Sequence, residues 1–141
     1  MKKFKIISVL LVSFLVFGIG NEVFAYSLLG GKHKTTKLYL KTNSGFLNSD
    51  PLIGGAMQAA RGDWNVAGTP ISINMTTSWD AQIVVNGSYF GNVEWSGRCT
   101  NYKDWVVAGN YSSSVIDANY TYLKSKSYNT TKNKGVFAHE M

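Results

Sequence analysis

Cysteine and proline are scarce in this chain. The 141 residues include one cysteine and two prolines. A single cysteine excludes a disulfide-stapled mini-protein and a multi-cysteine zinc module. Two prolines without a Gly-X-Y period exclude collagen-like and proline-rich linker segments. Charged residues reach only 16%, whereas hydrophobic residues make up 45%, which excludes a disordered tail. The length predicts a single domain.

The longest apolar run lies at the N-terminus and is short for a membrane span. Three of the first five residues are lysine, and the stretch 6–19 is almost wholly apolar. A span needs about 20 residues, and the small residues Val23 and Ala25 suit a signal peptidase. The pattern therefore predicts a secretory signal peptide over 1–25, with cleavage near Ala25, and a secreted, extracellular protein. An uncleaved anchor is the alternative.

The chain that remains after cleavage is only mildly basic. In 26–141, eleven basic residues face seven acidic ones, a net charge of +4. No segment interleaves runs of Lys or Arg with aromatic residues, so a nucleic-acid binder is not predicted. We expect no stable membrane association and a monomer.

The hydrophobic pattern predicts strands on both sides of one strong helix. Asp50 and Pro51 form a favourable helix start, and apolar residues recur at helical spacing over 51–66. We expect an α+β (α/β-like) fold, with a twisted mixed sheet of about five strands, one long helix after the first strand and the start of a helix at the C-terminus. The predicted order is an arm over 26–36, strands over 37–42, 70–76, 81–85, 98–102 and 114–120, a polar loop over 124–134, and a buried helix after Gly135.

The pair His139-Glu140 carries the clearest chemical signal. In the motif H-E-x-x-H, two histidines on one helix face bind Zn²⁺, and the glutamate takes a proton from the attacking water. The dipeptide alone also fits a surface histidine followed by a solvated acid. The apolar helix ends at Met141 without a C-terminal cap, so the sequence predicts a chain truncated inside the motif.

Residues 135–141, Gly-Val-Phe-Ala-His-Glu-Met, resemble the opening of the zinc-binding helix of metzincin metallopeptidases, with the matrixin-like secreted bacterial branch as the nearest match. Upstream, Trp64-Asn65 at the end of the long helix, together with Ala59 and Ala60, and the segment 116–120 are similar to family features. The resemblance covers about 37–141. It implies a zinc metalloendopeptidase, a hydrolase of extracellular proteins or peptides through a zinc-activated water, with His139 as the first metal ligand and Glu140 as the catalytic general base.

The family motif extends beyond the residues given. Its second histidine would lie two residues after Met141 and its third ligand eight residues after it. Neither His33 nor Glu94 has the spacing to replace them. A catalytic zinc site needs three protein ligands, so we expect this chain to be an inactive N-terminal subdomain, over 37–141, of a longer parent protease that holds zinc.

The resemblance also suggests roles outside the helix. It implies that an antiparallel edge strand above the substrate cleft binds the substrate backbone, with Trp95, Arg98 and Thr100 along the rim of that cleft. The alternative is that these residues only pack at an ordinary loop and strand edge. Cys99 is interpreted as half of a disulfide to a cysteine beyond Met141, or otherwise as a free buried thiol. Calcium is common in matrixins. The candidate ligands are Asp80, Asp104 and Asp117, but no calcium-loop motif is present, so we assign no site.

A second class of function stays open. The aromatic residues and the many Asn and Ser residues would also suit a non-catalytic carbohydrate-binding or adhesion module. The strong helix beginning at Pro51 counts against the all-β architecture of such a module. A small secreted toxin is a third option, without a basic amphipathic helix to support it.

Overall fold

A computed structural model describes residues 31–43, 46 and 50–141. The predicted signal peptide and residues 26–30 of the predicted arm lie outside the described residues. Within the described part of the chain, no helix combines the length and the apolar character that a membrane span needs.

The predicted α+β class is confirmed, with the long helix in the expected place and six strands where about five were expected. The additional strand, Lys32–His33, lies inside the segment predicted as an arm. Every predicted strand is found, with its limits shifted by at most a few residues. The elements are β1 (Lys32–His33), β2 (Lys37–Thr42), α1 (Pro51–Val66), β3 (Ser72–Met75), β4 (Ile83–Ser88), β5 (Gly97–Lys103), β6 (Asn110–Asn119), α2 (Tyr120–Leu123) and α3 (Thr130–Glu140).

The sheet is mostly parallel and has one antiparallel strand. Strands β3, β2, β4 and β6 lie side by side in this order and run parallel. Strand β5 pairs antiparallel with β6, from Gly97 opposite Ala118 to Lys103 opposite Tyr111. Within the described residues β5 has no other partner strand, so it is an edge strand.

Helices α1 and α3 pack together over the buried side chains of the sheet. Helix α1 begins where the sequence predicts, because the Asp50 carboxylate accepts hydrogen bonds from the backbone N–H groups of Leu52 (2.9 Å) and Ile53 (3.2 Å). The shared core brings together apolar side chains of α1, α3 and four strands: Ile53, Met57 and Ala60 of α1, Phe137 of α3, and Leu38, Leu40, Ile73, Ile83, Val85 and Ile116 of the sheet.

Two expectations about the C-terminal third were wrong. The polar loop expected over 124–134 ends at Asn129, because this side chain caps a helix by accepting a hydrogen bond from the backbone N–H of Lys132 (2.9 Å). Gly135 therefore lies inside α3 rather than before it. The strand expected to reach Tyr120 ends at Asn119, whose side chain caps the short helix α2 at Thr121 N–H (3.0 Å).

His33, in β1, belongs to a small, partly buried polar group on the sheet. Its Nε2 lies 3.0 Å from the Ser114 hydroxyl, and Ser114 in turn donates to the Asn101 side chain. The other ring nitrogen, Nδ1, is buried and has no hydrogen-bond partner among the described residues. Burial lowers the pKa of His33, because the charged imidazolium is poorly solvated there.

The lowered pKa of His33 predicts acid sensitivity. Below about pH 6.5 the unfolded chain binds a proton at this histidine that the folded chain resists, so the free energy of unfolding falls as the pH drops. The His33→Gln variant should lose less stability than the parent between about pH 7.5 and pH 5.5, measured by urea unfolding. An identical pH dependence in both proteins would show that His33 is not the responsible group.

Candidate functional site

The His139-Glu140 pair lies at the end of α3, and α1 holds this end of the helix. The indole N–H of Trp64 donates to the backbone carbonyl of Ala138 (3.1 Å), directly before the pair. Phe137 is fully buried, and the side chain of Asn133 donates to the Leu123 carbonyl (3.1 Å). These contacts fix both the position and the rotation of α3.

On its other side, α3 packs against the first residue of β5. An added Cβ at Gly97 would lie 2.6 Å from Cγ1 of Val136 and 3.1 Å from Cγ of Glu140. The helix can approach the strand this closely only because Gly97 has no side chain. The same built atom would lie 3.6 Å from Oε1 of Glu140. The Glu140 carboxyl group therefore lies beside the N-terminal end of the edge strand.

The two residues of the pair have different surroundings. His139 is exposed, whereas Glu140 is half-buried against β5. An exposed imidazole can bind a metal ion, and the neighbouring carboxylate is held by packing on one side. The chemistry of these two groups fits the first part of a zinc site with an adjacent proton acceptor.

Cys99 lies two residues along β5 from Gly97, and the charge of Glu140 affects the pKa of its thiol. Burial raises the pKa of the Cys99 thiol, and the negative charge of Glu140 raises it further, whereas a hydrogen bond with Ser114 acts in the opposite direction. The thiol is free and half-buried, with its sulfur 3.5 Å from Oδ1 of Asn101. A disulfide between Cys99 and a cysteine beyond Met141 stays a prediction.

The predicted rim residues divide between a loop and the opposite face of β5. Arg98 pairs with Asp117 of β6 (3.2 Å), and its guanidinium lies 4.7 Å from the centre of the Trp95 ring. Successive side chains of a strand point to opposite faces, so Arg98 and Thr100 face away from Gly97, Cys99 and α3. The part of β5 nearest Glu140 is therefore Gly97, on the face that α3 covers, and not these two side chains.

Sequence reasoning missed Asn119, which organises the loop before β5. The side chain is fully buried. Its oxygen accepts hydrogen bonds from Phe90 N–H (3.2 Å) and Thr121 N–H, and its amide donates to the carbonyls of Gly91 (3.0 Å) and Trp95 (3.3 Å). An asparagine directly after an alternating apolar strand is a capping signal, but no local pattern reveals its long-range partners.

No complete metal site is found in the described residues. Within them, no group of three or more His, Cys, Asp or Glu residues could hold a metal ion. The three calcium candidates are separate and engaged elsewhere: Asp80 with the Ser78 hydroxyl, Asp104 with Lys34, and Asp117 with Arg98. A metal site that used His139 would need further ligands.

No family model matches the chain, and a search of the curated proteins finds no match.

Two glycines of this region should respond oppositely to alanine. Gly97→Ala should lower the free energy of unfolding by about 1–3 kcal/mol, because the new methyl group overlaps the stiff side chain of Val136. Gly135→Ala should raise it by about 0.5–1 kcal/mol, because this helical position has no atom near the added Cβ and alanine favours helix. Urea unfolding of both variants checks this. Equal effects would contradict the close approach at Gly97.

Removing the charge of Glu140 should activate the neighbouring thiol. In the Glu140→Gln variant the Cys99 pKa falls, so the rate of alkylation at about pH 8 should rise several-fold. Glu94→Gln is the matched control, because Glu94 is exposed in the loop before β5. The readout is the mass-spectrometric rate of iodoacetamide labelling of the folded protein. An unchanged rate in Glu140→Gln would mean that the carboxylate does not act on Cys99.

Proposed function

We propose that these residues belong to a secreted zinc-dependent endopeptidase of the metzincin type, in its matrixin-like branch. One observation carries the proposal: the helix that ends in His139-Glu140 packs against an antiparallel edge strand, with the Glu140 carboxyl group beside Gly97. The order of a strand, a long helix, further strands and a final helix agrees with the resemblance. The zinc chemistry rests on the H-E motif, and its remaining ligands would follow Met141.

The edge strand supplies the substrate-binding part of the proposal. An extended peptide can add to an open strand edge through main-chain hydrogen bonds, which give affinity with little dependence on the peptide sequence. Within the described residues the second edge of β5 has no partner strand. A peptide bound along this edge would pass the Glu140 carboxyl group at the Gly97 end.

The packing of Glu140 supports a role as general base. Its side chain is half-buried and packed at Gly97, so its carboxylate oxygens sample few orientations. We assign Glu140 the role of accepting a proton from the attacking water and passing it to the leaving amine. His139 would hold the zinc ion, which when bound polarises the peptide carbonyl and makes water more acidic.

A carbohydrate-binding or adhesion module is the second candidate from the sequence. Such a module is typically all-β, whereas this chain has a mostly parallel sheet covered by two helices. The aromatic group of Phe90 and Trp95, with ring centres 5.0 Å apart, is the feature that such a module could use. The experiment on the protease proposal separates the two.

The first test is to read the gene beyond codon 141 and to assay the secreted protein that it encodes. A glycine-histidine pair directly after Met141 and a third ligand six residues later are expected. The purified protein should contain zinc and cleave an unfolded protein substrate, and o-phenanthroline should abolish the cleavage. A stop codon after Met141, or retention on a polysaccharide resin without proteolysis, would contradict the protease proposal.

The variant Glu140→Gln tests the assigned role directly. It should keep its zinc but lose about 100-fold to 10,000-fold in kcat, because only the proton acceptor is removed. His139→Ala should lose the metal itself, measured by elemental analysis. Glu94→Gln, which changes an exposed carboxylate elsewhere, should keep both zinc and activity. Full activity in Glu140→Gln would exclude Glu140 as the base.

A further inference from the structure

The connection between β5 and β6 ends in a cluster of exposed apolar side chains. We call residues 104–109 the β5–β6 tip. Trp105 is 100% exposed and Val106 is 86% exposed, while Val107 is 42% exposed. Tyr102, on the strand just before the tip, is also half exposed. Contiguous exposed apolar residues at the end of a hairpin usually mark a contact surface.

Several backbone groups of the tip form hydrogen bonds within the tip or with Asn110, the residue that follows it. The Asp104 carboxylate accepts hydrogen bonds from the N–H groups of Val106 (2.7 Å) and Val107 (3.3 Å). The N–H of Asn110 donates to the Val107 carbonyl (3.2 Å), and Asp104 N–H donates to the Asn110 carbonyl (2.8 Å). A segment can enter an apolar medium only if its backbone polar groups are satisfied internally. The N–H groups of both valines and the carbonyl of Val107 meet this condition.

The charges around the tip are arranged for an anionic surface. Asp104, the acidic residue of the tip, is neutralised by Lys34, with Nζ 2.5 Å from the carboxylate. Lys103 is exposed beside it and is not assigned to any ion pair among the described residues. Lys103 and the serine pair 112–113 also line an open depression of about 590 Å³ next to Trp105. Asp104 lines the same depression but is paired with Lys34, so the depression offers the Lys103 cation and the serine hydroxyl groups to a lipid headgroup.

We propose that the β5–β6 tip inserts into the interface of a bilayer that contains anionic lipids. Tryptophan is the side chain most suited to this region, because its ring is apolar and its N–H remains near water. The exposed valines favour lipid acyl chains over a sugar as the ligand. A pyranose ring stacks on the face of an aromatic ring, and contact with aliphatic valine side chains would add little to its affinity. Binding through so small a surface is reversible and salt-sensitive. The proposal does not depend on the metal chemistry.

Co-sedimentation with lipid vesicles tests this proposal. The parent chain, Trp105→Ser and Val106→Ser should be compared on vesicles of phosphatidylcholine alone and on vesicles that also contain phosphatidylglycerol. The parent should bind the anionic vesicles, and Trp105→Ser should lower its partition coefficient about tenfold. Added salt should weaken the binding. Both substitutions are at exposed positions, so the fold is retained, and thermal unfolding verifies this.

Trp79→Ser is the matched control for the tip variants. Trp79 is 87% exposed but is followed by the neighbouring acid Asp80 rather than by valines. All variants share the apolar N-terminal stretch 6–19, so the differences between variants, and not the binding of the parent alone, report on the tip. Equal losses in Trp79→Ser and Trp105→Ser, or no binding of the parent, would overturn the proposal. So would tip-dependent retention on a polysaccharide without vesicle binding, which would assign the tip to a sugar.

Discussion

The close approach of α3 to β5 at Gly97 is the constraint on which the candidate site depends. A side chain at this position would overlap Val136 and crowd Glu140, so the missing Cβ sets how near the helix can lie. From the other side, the Trp64 indole fixes the Ala138 carbonyl. The end of α3 is thus held between a helix and an edge strand. Two residues that the sequence separates widely determine where the His139-Glu140 pair lies.

The sequence predicted most of the fold because several of its local signals are strong. The helix Pro51–Val66 and the strand Lys37–Thr42 have the predicted bounds, since a capping Asp-Pro pair and a clear alternation leave little ambiguity. The C-terminal helix was predicted to begin too late. Its first residues are polar and show no apolar stripe, and the Asn129 cap together with the burial of Asn133 and Phe137 stabilises them. Tertiary contacts of this kind are invisible to a pattern of hydrophobicity.

The candidate site was only half predictable for a similar reason. A dipeptide motif identifies His139-Glu140, but it gives no indication that Glu140 lies beside Gly97 and acts on the Cys99 thiol. The strand pairing that makes this contact joins distant segments, and pairing direction is not encoded in either strand alone. The same dependence on distant segments explains why the positions of the predicted rim residues Arg98 and Thr100 could not be predicted. Alternation along a strand was predictable, but which face of β5 would meet α3 was not, and Arg98 faces the other side with Asp117.

Strand β5 connects the two proposed sites, and this has a geometric consequence. It carries the Glu140 contact at Gly97 and the apolar tip after Lys103. Seven strand residues at about 3.3 Å each span roughly 20 Å. If the tip enters a bilayer, the length of the strand sets an upper limit of about that distance between the Glu140 carboxyl group and the interface, with the open edge of β5 running between them. A protease arranged in this way would act on chains held close to a membrane surface, because a peptide pairing with the edge would extend from the interface toward the catalytic end. The position of β5 would then select substrates by their location, whereas main-chain pairing along its edge selects little by sequence.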